Sequence, residues 1–283
     1  MSIAVTNVLS STANAALNTY ISPRYANLAN DKRAPGQPVP AAFGIWFPIF
    51  AGQIAYGFLP EEERSAQSSL WNHAIQASGG TYAWTLVNEK FYSMQGAMGA
   101  MTFANYMYLR QLPKPSTAMG RAVGFAAELG LGWLVAADLI VSAQNGQRWL
   151  KRDFTHNEQD LVGASQALSL GAAAVAANRL KRWNGVSIAA AWALGGIALD
   201  KRSKKHVRVV AGLTAAGVLT DLALRVFSDR KDQEALAKMD FSHGEDAIET
   251  NEEIETDDDY VVLIEDTYLA PNIVIEEVTT VRI

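Results

Sequence analysis

Pro38-Val39-Pro40-Ala41-Ala42-Phe43-Gly44-Ile45-Trp46-Phe47-Pro48-Ile49-Phe50 is the stretch on which the fold reading turns. It opens an uncharged run from Ala34 to Pro60. Asp31-Lys32-Arg33 precede the run, and Glu61-Glu62-Glu63-Arg64 close it. A helix needs roughly 20 mostly apolar residues to cross the hydrocarbon of a bilayer. Charge at both ends with none between is the pattern of a spanning segment. The chain therefore reads as a membrane protein.

The same criterion, carried along the chain, predicts eight spans. Ile3 to Ile21 is the first, rich in Ser, Thr and Asn. A Pro/Gly loop from Ser22 to Val39 follows, and Pro40 to Leu59 is the second span. Ala66–Asn88, Phe91–Leu109 and Ala122–Ala143 are the third to fifth. A polar loop, Gln144 to Asp160, separates them from Leu161–Asn178, Trp183–Leu199 and Val207–Phe227. Pro40–Leu59, Ala66–Asn88 and Phe91–Leu109 are the surest by absence of charge. In the fourth, Gly96, Ala97, Gly99, Ala100 and Ala104 predict a small-residue packing face. Met1 to Pro23 holds no Lys or Arg, so a signal-peptide n-region is missing and an uncleaved first helix is expected to insert. The loop charges place both termini outside the cytoplasm by the positive-inside rule.

Bulk composition conceals this pattern. Apolar residues make up 49% and charged residues 19% of the 283. From Asp240 to Ile283 there are fourteen Asp and Glu and one Arg, which leaves 23 basic and 15 acidic residues upstream. The body is basic and the tail acidic, which predicts two domains: a helical transmembrane domain over 1–227 and a soluble acidic tail over 228–283. The tail is expected to be mostly disordered. Tyr260–Ile264 and Ile273–Val278 are strand-like and could pair as a hairpin. The expected class is all-α, a polytopic helical bundle carrying that tail.

Cysteine is absent, which excludes disulfides and thiolate metal sites. His73, His156, His206 and His243 have no ligand spacing. No nucleophile–base pair or phosphate loop occurs, and Gly79-Gly80 lacks the lysine of a P-loop. These patterns predict no enzyme, no required cofactor and no metal. The basic residues lie in short interhelical loops, and no nucleic-acid partner is expected.

Three groups of residues resemble the TspO/MBR family of tryptophan-rich sensory proteins and translocator proteins. Phe43, Trp46 and Ile49-Phe50 are similar to its second helix, with Phe50 where the family has tyrosine. Gly132-Trp133 with Ala137 is similar to its fifth helix. Trp192-Ala193-Leu194-Gly195-Gly196-Ile197 is similar to a later motif of larger bacterial relatives, which add about three spans to a five-helix core. The resemblance covers roughly residues 1–225. It implies an integral protein of a bacterial inner (plasma) membrane that binds a hydrophobic small molecule, tetrapyrrole or sterol-like, in a receptor, carrier or sensory role, often as a homodimer. It also brings spans two and five together, so that Trp46, Phe50, Trp133 and Ala137 face a shared cavity under the Tyr25–Pro38 loop.

Trp84 and Asp138 complete the candidate ligand-binding set. Trp46, Trp84, Trp133 and Trp192 read as interior rings, and Trp71, Trp149 and Trp183 as interfacial anchors. A carboxylate within a span is costly, about 2.5–3.5 kcal/mol on insertion scales, and so faces a cavity or a partner. Glu128 reads as lying near an interface. Asp138 either lines the pocket or pairs with a basic residue of another helix. Asp221 and Arg225, four apart on the last helix, are expected to neutralise each other. The alternative function is a proton-coupled small-molecule transporter using Glu128, Asp138 or Asp221.

Overall fold

The computed structural model describes the backbone of residues 3–31, 34–246, 260–270 and 273–282, and the side chains of 4–21 and 34–231. The chain divides into two compact units, Met1–Ser228 and Asp229–Ile283.

Eight α-helices occur among the described residues: α1 (Ile3–Asp31), α2 (Trp46–Tyr56), α3 (Ala66–Val87), α4 (Phe91–Gln111), α5 (Ala118–Leu150), α6 (His156–Lys181), α7 (Asn184–Leu199) and α8 (Lys205–Asp246). Their starts are written in the sequence. Ser65 and Ser68 form a reciprocal capping box at α3, and Thr155 and Glu158 another at α6. The Thr117 hydroxyl accepts from Gly120 N–H at 2.9 Å to open α5. Left-handed residues turn the chain between helices: Glu89 after α3, Lys151 after α5 and Arg182 after α6.

Several boundaries differ from the sequence expectation. The predicted loop from Ser22 is helical until Asp31, because α1 runs on through Pro23. The second span is not one helix. Pro40–Ile45 is a 3-10 turn, and α2 covers only 11 residues before Gly57 ends it. Prolines at positions 40 and 48 account for the split, since a proline cannot donate the backbone bond that would carry α-helix through. The expected loop over 144–160 shrinks because α5 continues to Leu150.

Length and composition mark out three helices able to cross a membrane: α5, α6 and the Lys205–Lys231 part of α8. The three spans read as surest are not among them. α3 and α4 are long enough, at 22 and 21 residues. They fall short because Ser, Gln, Asn and Thr replace apolar side chains, and freedom from charge is not apolarity. The polar groups of α1 and α3 have a use. Asn72 Nδ2 donates to Asn7 Oδ1 at 2.8 Å, and Gln76 Nε2 to Asn72 Oδ1 at 3.3 Å. Ser10 Oγ lies 3.4 Å from His73 Nδ1, and Asn14 fills the space over Gly79. Amides and hydroxyls thus zip α1 to α3, where interhelical hydrogen bonds serve in place of apolar packing.

The central element is α5, which divides two apolar cores between its faces. Leu129, Trp133 and Ala136 pack with α6, α7 and α8, joined by Ala167, Leu170, Leu194 and Val207. Val123, Ala127, Leu134, Ala137 and Val141 pack with α3 and α4, joined by Ile75, Leu86, Met98 and Tyr108. Both sets follow helical spacing on opposite sides. At the α5–α7 crossing, a Cβ on Gly132 would stand 2.7 Å from Val186 O, and one on Gly185 2.9 Å from Phe125 O. The small-residue face expected on α4 is only partly used. Ala97 and Ala104 are buried, whereas Gly96 and Gly99 have no neighbour within 4 Å.

The charges in the helices are held differently from the expectation. Asp221 pairs with Arg179 of α6 at 2.7 Å rather than with Arg225 alone, tying α6 to α8. Glu128 Oε2 accepts the Gly185 N–H at 2.7 Å, so a carboxylate of α5 serves a free backbone donor in the first turn of α7.

Glu63 fixes the α4–α5 connection. Its buried carboxylate accepts from Ser116 N–H and Oγ at 2.6 Å, from Thr117 N–H at 2.5 Å and from Thr117 Oγ1 at 2.9 Å. The Ser116 hydroxyl foremost, then the Thr117 donors and the Ser116 N–H, hold its pKa down to about 2 from 4.5 against the opposing effect of burial. A depressed carboxylate stabilises the fold above its unfolded pKa and loses that contribution as pH falls through the folded one. The Glu63 contribution is therefore complete above pH 4.5 and gone near pH 2. Thermal unfolding across that window should show a fall in stability that Glu63→Gln, already weaker at neutral pH, no longer shows.

In the second unit, β1 (Tyr260–Ala270) and β2 (Ile273–Arg282) pair antiparallel, with Tyr260 opposite Arg282 and Ile264 opposite Val278. This ribbon is the hairpin pairing read as open to these segments, and with the run of α8 to Asp246 it replaces disorder over those parts of the tail; residues 247–259 lie outside the described residues. Truncation after Met239 should leave the helical circular dichroism per residue of the first unit unchanged, and loss of folded protein would assign the tail a structural role.

Candidate functional site

A cavity of about 650 Å³ lies among α1, α2, α3, α4 and α5. That volume is within the range of small-molecule sites, roughly 300–1,000 Å³. Trp46, Phe50, Trp133 and Ala137, from the second and fifth predicted spans, all line it. Trp133 is 1% exposed, and Phe43 meets it edge-on at 5.3 Å between ring centres. Trp46 also meets it edge-on at 6.5 Å and stacks on Phe50 at 5.2 Å, with 15° between the rings. Trp46 and Phe50 are four apart on α2, and Trp133 and Ala137 four apart on α5, so each pair holds one helix face.

α7 supports this wall from behind. Trp192 Nε1 donates to Ala42 O at 2.7 Å, and Val39 N–H donates to Gly196 O at 3.1 Å. The 3-10 turn that carries Phe43 is thus held by the Trp192–Gly196 segment. Trp192 itself is half exposed rather than interior.

Two of the six candidate residues stand elsewhere. Trp84 is 59% exposed and does not line the cavity. On α3 the inward face is Ile75, Gly79, Tyr82 and Leu86; Trp84 is two residues from Tyr82 and so points the other way. Asp138 is beside Ala137 but turned toward α4, where Gln95 Nε2 donates to it. Gln95 lies in turn 3.5 Å from Asn145 Nδ2. Its partner is an amide, not the basic residue considered from the sequence. Of the Tyr25–Pro38 segment expected over the cavity, residues 34–38 do not line it, and 25–33 lie outside the described side chains.

The sequence reading left out several lining residues. Tyr82, Leu86, Met98 and Met101 form much of the floor. Met98 and Met101 are three apart with Ala97, Ala104 and Asn105 on the same buried face, so helical periodicity alone could have found them. Asn14 and Asn18 come from α1, and nothing short of the tertiary fold brings them there.

Among the described residues no charged side chain lines the cavity. Among the described residues, two polar atoms beside it are buried without a hydrogen-bond partner, the Trp133 Nε1 donor and the Gln53 Oε1 acceptor. Among the described residues no cluster of His, Asp or Glu is placed to hold a metal ion. Comparison with family models, with curated proteins and with solved structures finds no match to this chain.

Proposed function

We infer that the protein is an integral membrane receptor or carrier for an uncharged hydrophobic small molecule, of the TspO/MBR-like kind that the sequence motifs imply. The observation that carries this reading is the cavity itself: about 650 Å³, walled by Phe43, Trp46, Phe50 and Trp133, with no charged side chain among its described lining residues. Of the two ligand classes implied by the resemblance, the lining favours a neutral sterol-like molecule. A tetrapyrrole with ionised carboxylates would find no cation among the described lining residues, and an unpaired buried charge is costly. The free Trp133 donor suits a carbonyl or hydroxyl oxygen at one end of the ligand.

The test is quenching of tryptophan fluorescence in detergent-solubilised protein by a fluorescent sterol, with a porphyrin dicarboxylate as comparison. The sterol should bind and the porphyrin should bind more weakly. Trp133→Phe keeps a ring and removes the donor. It should weaken binding of an oxygen-bearing ligand by roughly 2- to 12-fold, the worth of one net hydrogen bond. A hydrocarbon of the same shape should lose much less. Equal losses for both ligands would remove the polar contact from the reading. Retention in the pellet on alkaline carbonate extraction is the expected result for membrane integration.

A further inference from the structure

We propose that the cavity opens sideways into the hydrocarbon of the bilayer, between α1 and α2, so that its occupant is exchanged with the lipid and not with water. The inference rests on the ligand-binding reading above and adds the route. Burial is distributed unevenly around the cavity. Every lining residue from α3, α4 and α5 is buried. The exposed ones, Thr19 of α1, Gly44 of the 3-10 turn and Phe47 and Ala51 of α2, are confined to the first two helices and the turn leading into α2. The floor is thus α3–α5 and the mouth is α1 and α2. At one end Gly57, just after α2, lies close against Val8 and Ala4 O of α1. Ala15 and Thr19 are farther along α1, and Phe47 and Ala51 lie back along α2, where the mouth is.

Two observations give the mouth an apolar outlook. Phe47, 79% exposed, and Ala51 sit near the middle of the uncharged run from Ala34 to Pro60, far from the charges that bracket it. The polar side chains at the α1 edge bond back to their own helix. Thr19 Oγ1 donates to Ala15 O at 2.9 Å, and Asn18 Nδ2 donates to both Asn14 O and Asn14 Oδ1 at 2.9 Å. In water such donors have solvent and gain little from this arrangement; in hydrocarbon each unsatisfied donor is costly.

The chain has no cysteine, so Ala51→Cys introduces a unique thiol at the mouth without further engineering. Thr19→Cys does the same on α1, and Glu62→Cys supplies an exposed thiol in the α2–α3 connection. The full chain is reconstituted in phosphatidylcholine vesicles, which are freeze–thawed with reagent so that both faces are reached. A sulfonated maleimide should modify Glu62→Cys at least roughly tenfold faster than Ala51→Cys or Thr19→Cys, because a charged reagent is excluded from hydrocarbon. Pyrene maleimide, which partitions into the bilayer, should modify all three. The pyrene adduct at position 51 should then slow both loading and release of a fluorescent sterol by about tenfold, since it stands in the path. Equal sulfonate labelling at positions 51 and 62 would overturn the lateral mouth, and so would unchanged sterol exchange in the adduct. Should the unmodified protein bind no sterol, the ligand reading falls, and the labelling comparison still decides which solvent the mouth faces.

Discussion

Ala137→Phe should weaken binding of a sterol-like ligand by about tenfold or more, ~1.4 kcal/mol, with little change in thermal stability. Ala137 contributes to the cavity wall beside Trp133 and Leu134, where a phenyl ring has empty space to enter. In a packed seam the same ring would have to displace its neighbours, and overfilling costs roughly 1–3 kcal/mol. The two measurements therefore diverge. Lost binding with an unchanged melting temperature marks a cavity in use. A lowered melting temperature with binding retained marks a seam, and the ligand site would then have to be sought elsewhere.

The opposite behaviour is expected at the α5–α7 crossing. Gly132→Leu and Gly185→Leu should each destabilise strongly, beyond the 1–3 kcal/mol typical of overpacking. A Cβ at either position already meets backbone carbonyl oxygen of the other helix within 3 Å, and backbone cannot rotate aside as a side chain can. The measurement is the temperature of half-aggregation in detergent. The double variant should lose less than the sum of the singles, because one separation of the helices relieves both contacts. Glu128 moves with this crossing, since its bond to Gly185 N–H depends on the same approach. Full additivity would show that the two glycines do not share a seam.

The contrast between these sites shows what the residues disclosed by themselves. The number and order of helices in the first unit were legible, because charge clusters and Pro or Gly punctuate the chain between helical runs. The pairing of Trp46 and Phe50 with Trp133 and Ala137 was also foreseen, though through the family resemblance and not through spacing. Trp84 stands outside the cavity for a reason visible in its own helix. Tyr82 and Leu86 are in register with Ile75 and Gly79, and Trp84 is on the other side. Apolarity was misjudged by counting charges alone. α3 carries none, yet its hydroxyls and amides keep it from being a strongly apolar helix, whereas α5 tolerates Glu128 and Asp138 in a longer apolar segment. The partners of those two acids, a backbone N–H of α7 and Gln95 of α4, lie 57 and 43 residues away and could not be chosen from the sequence.

The amide zipper between α1 and α3 bears on how the protein is made. Asn7 and Asn72, which bond directly, are 65 residues apart. At a synthesis rate of roughly 5–20 residues per second, α1 emerges several seconds before the helix that satisfies it. During that interval the face of α1 carrying Asn7, Ser10 and Asn14 lacks its α3 counterparts Asn72, His73 and Gly79. The first helix therefore reaches its final packing only in company with α3, and not on its own.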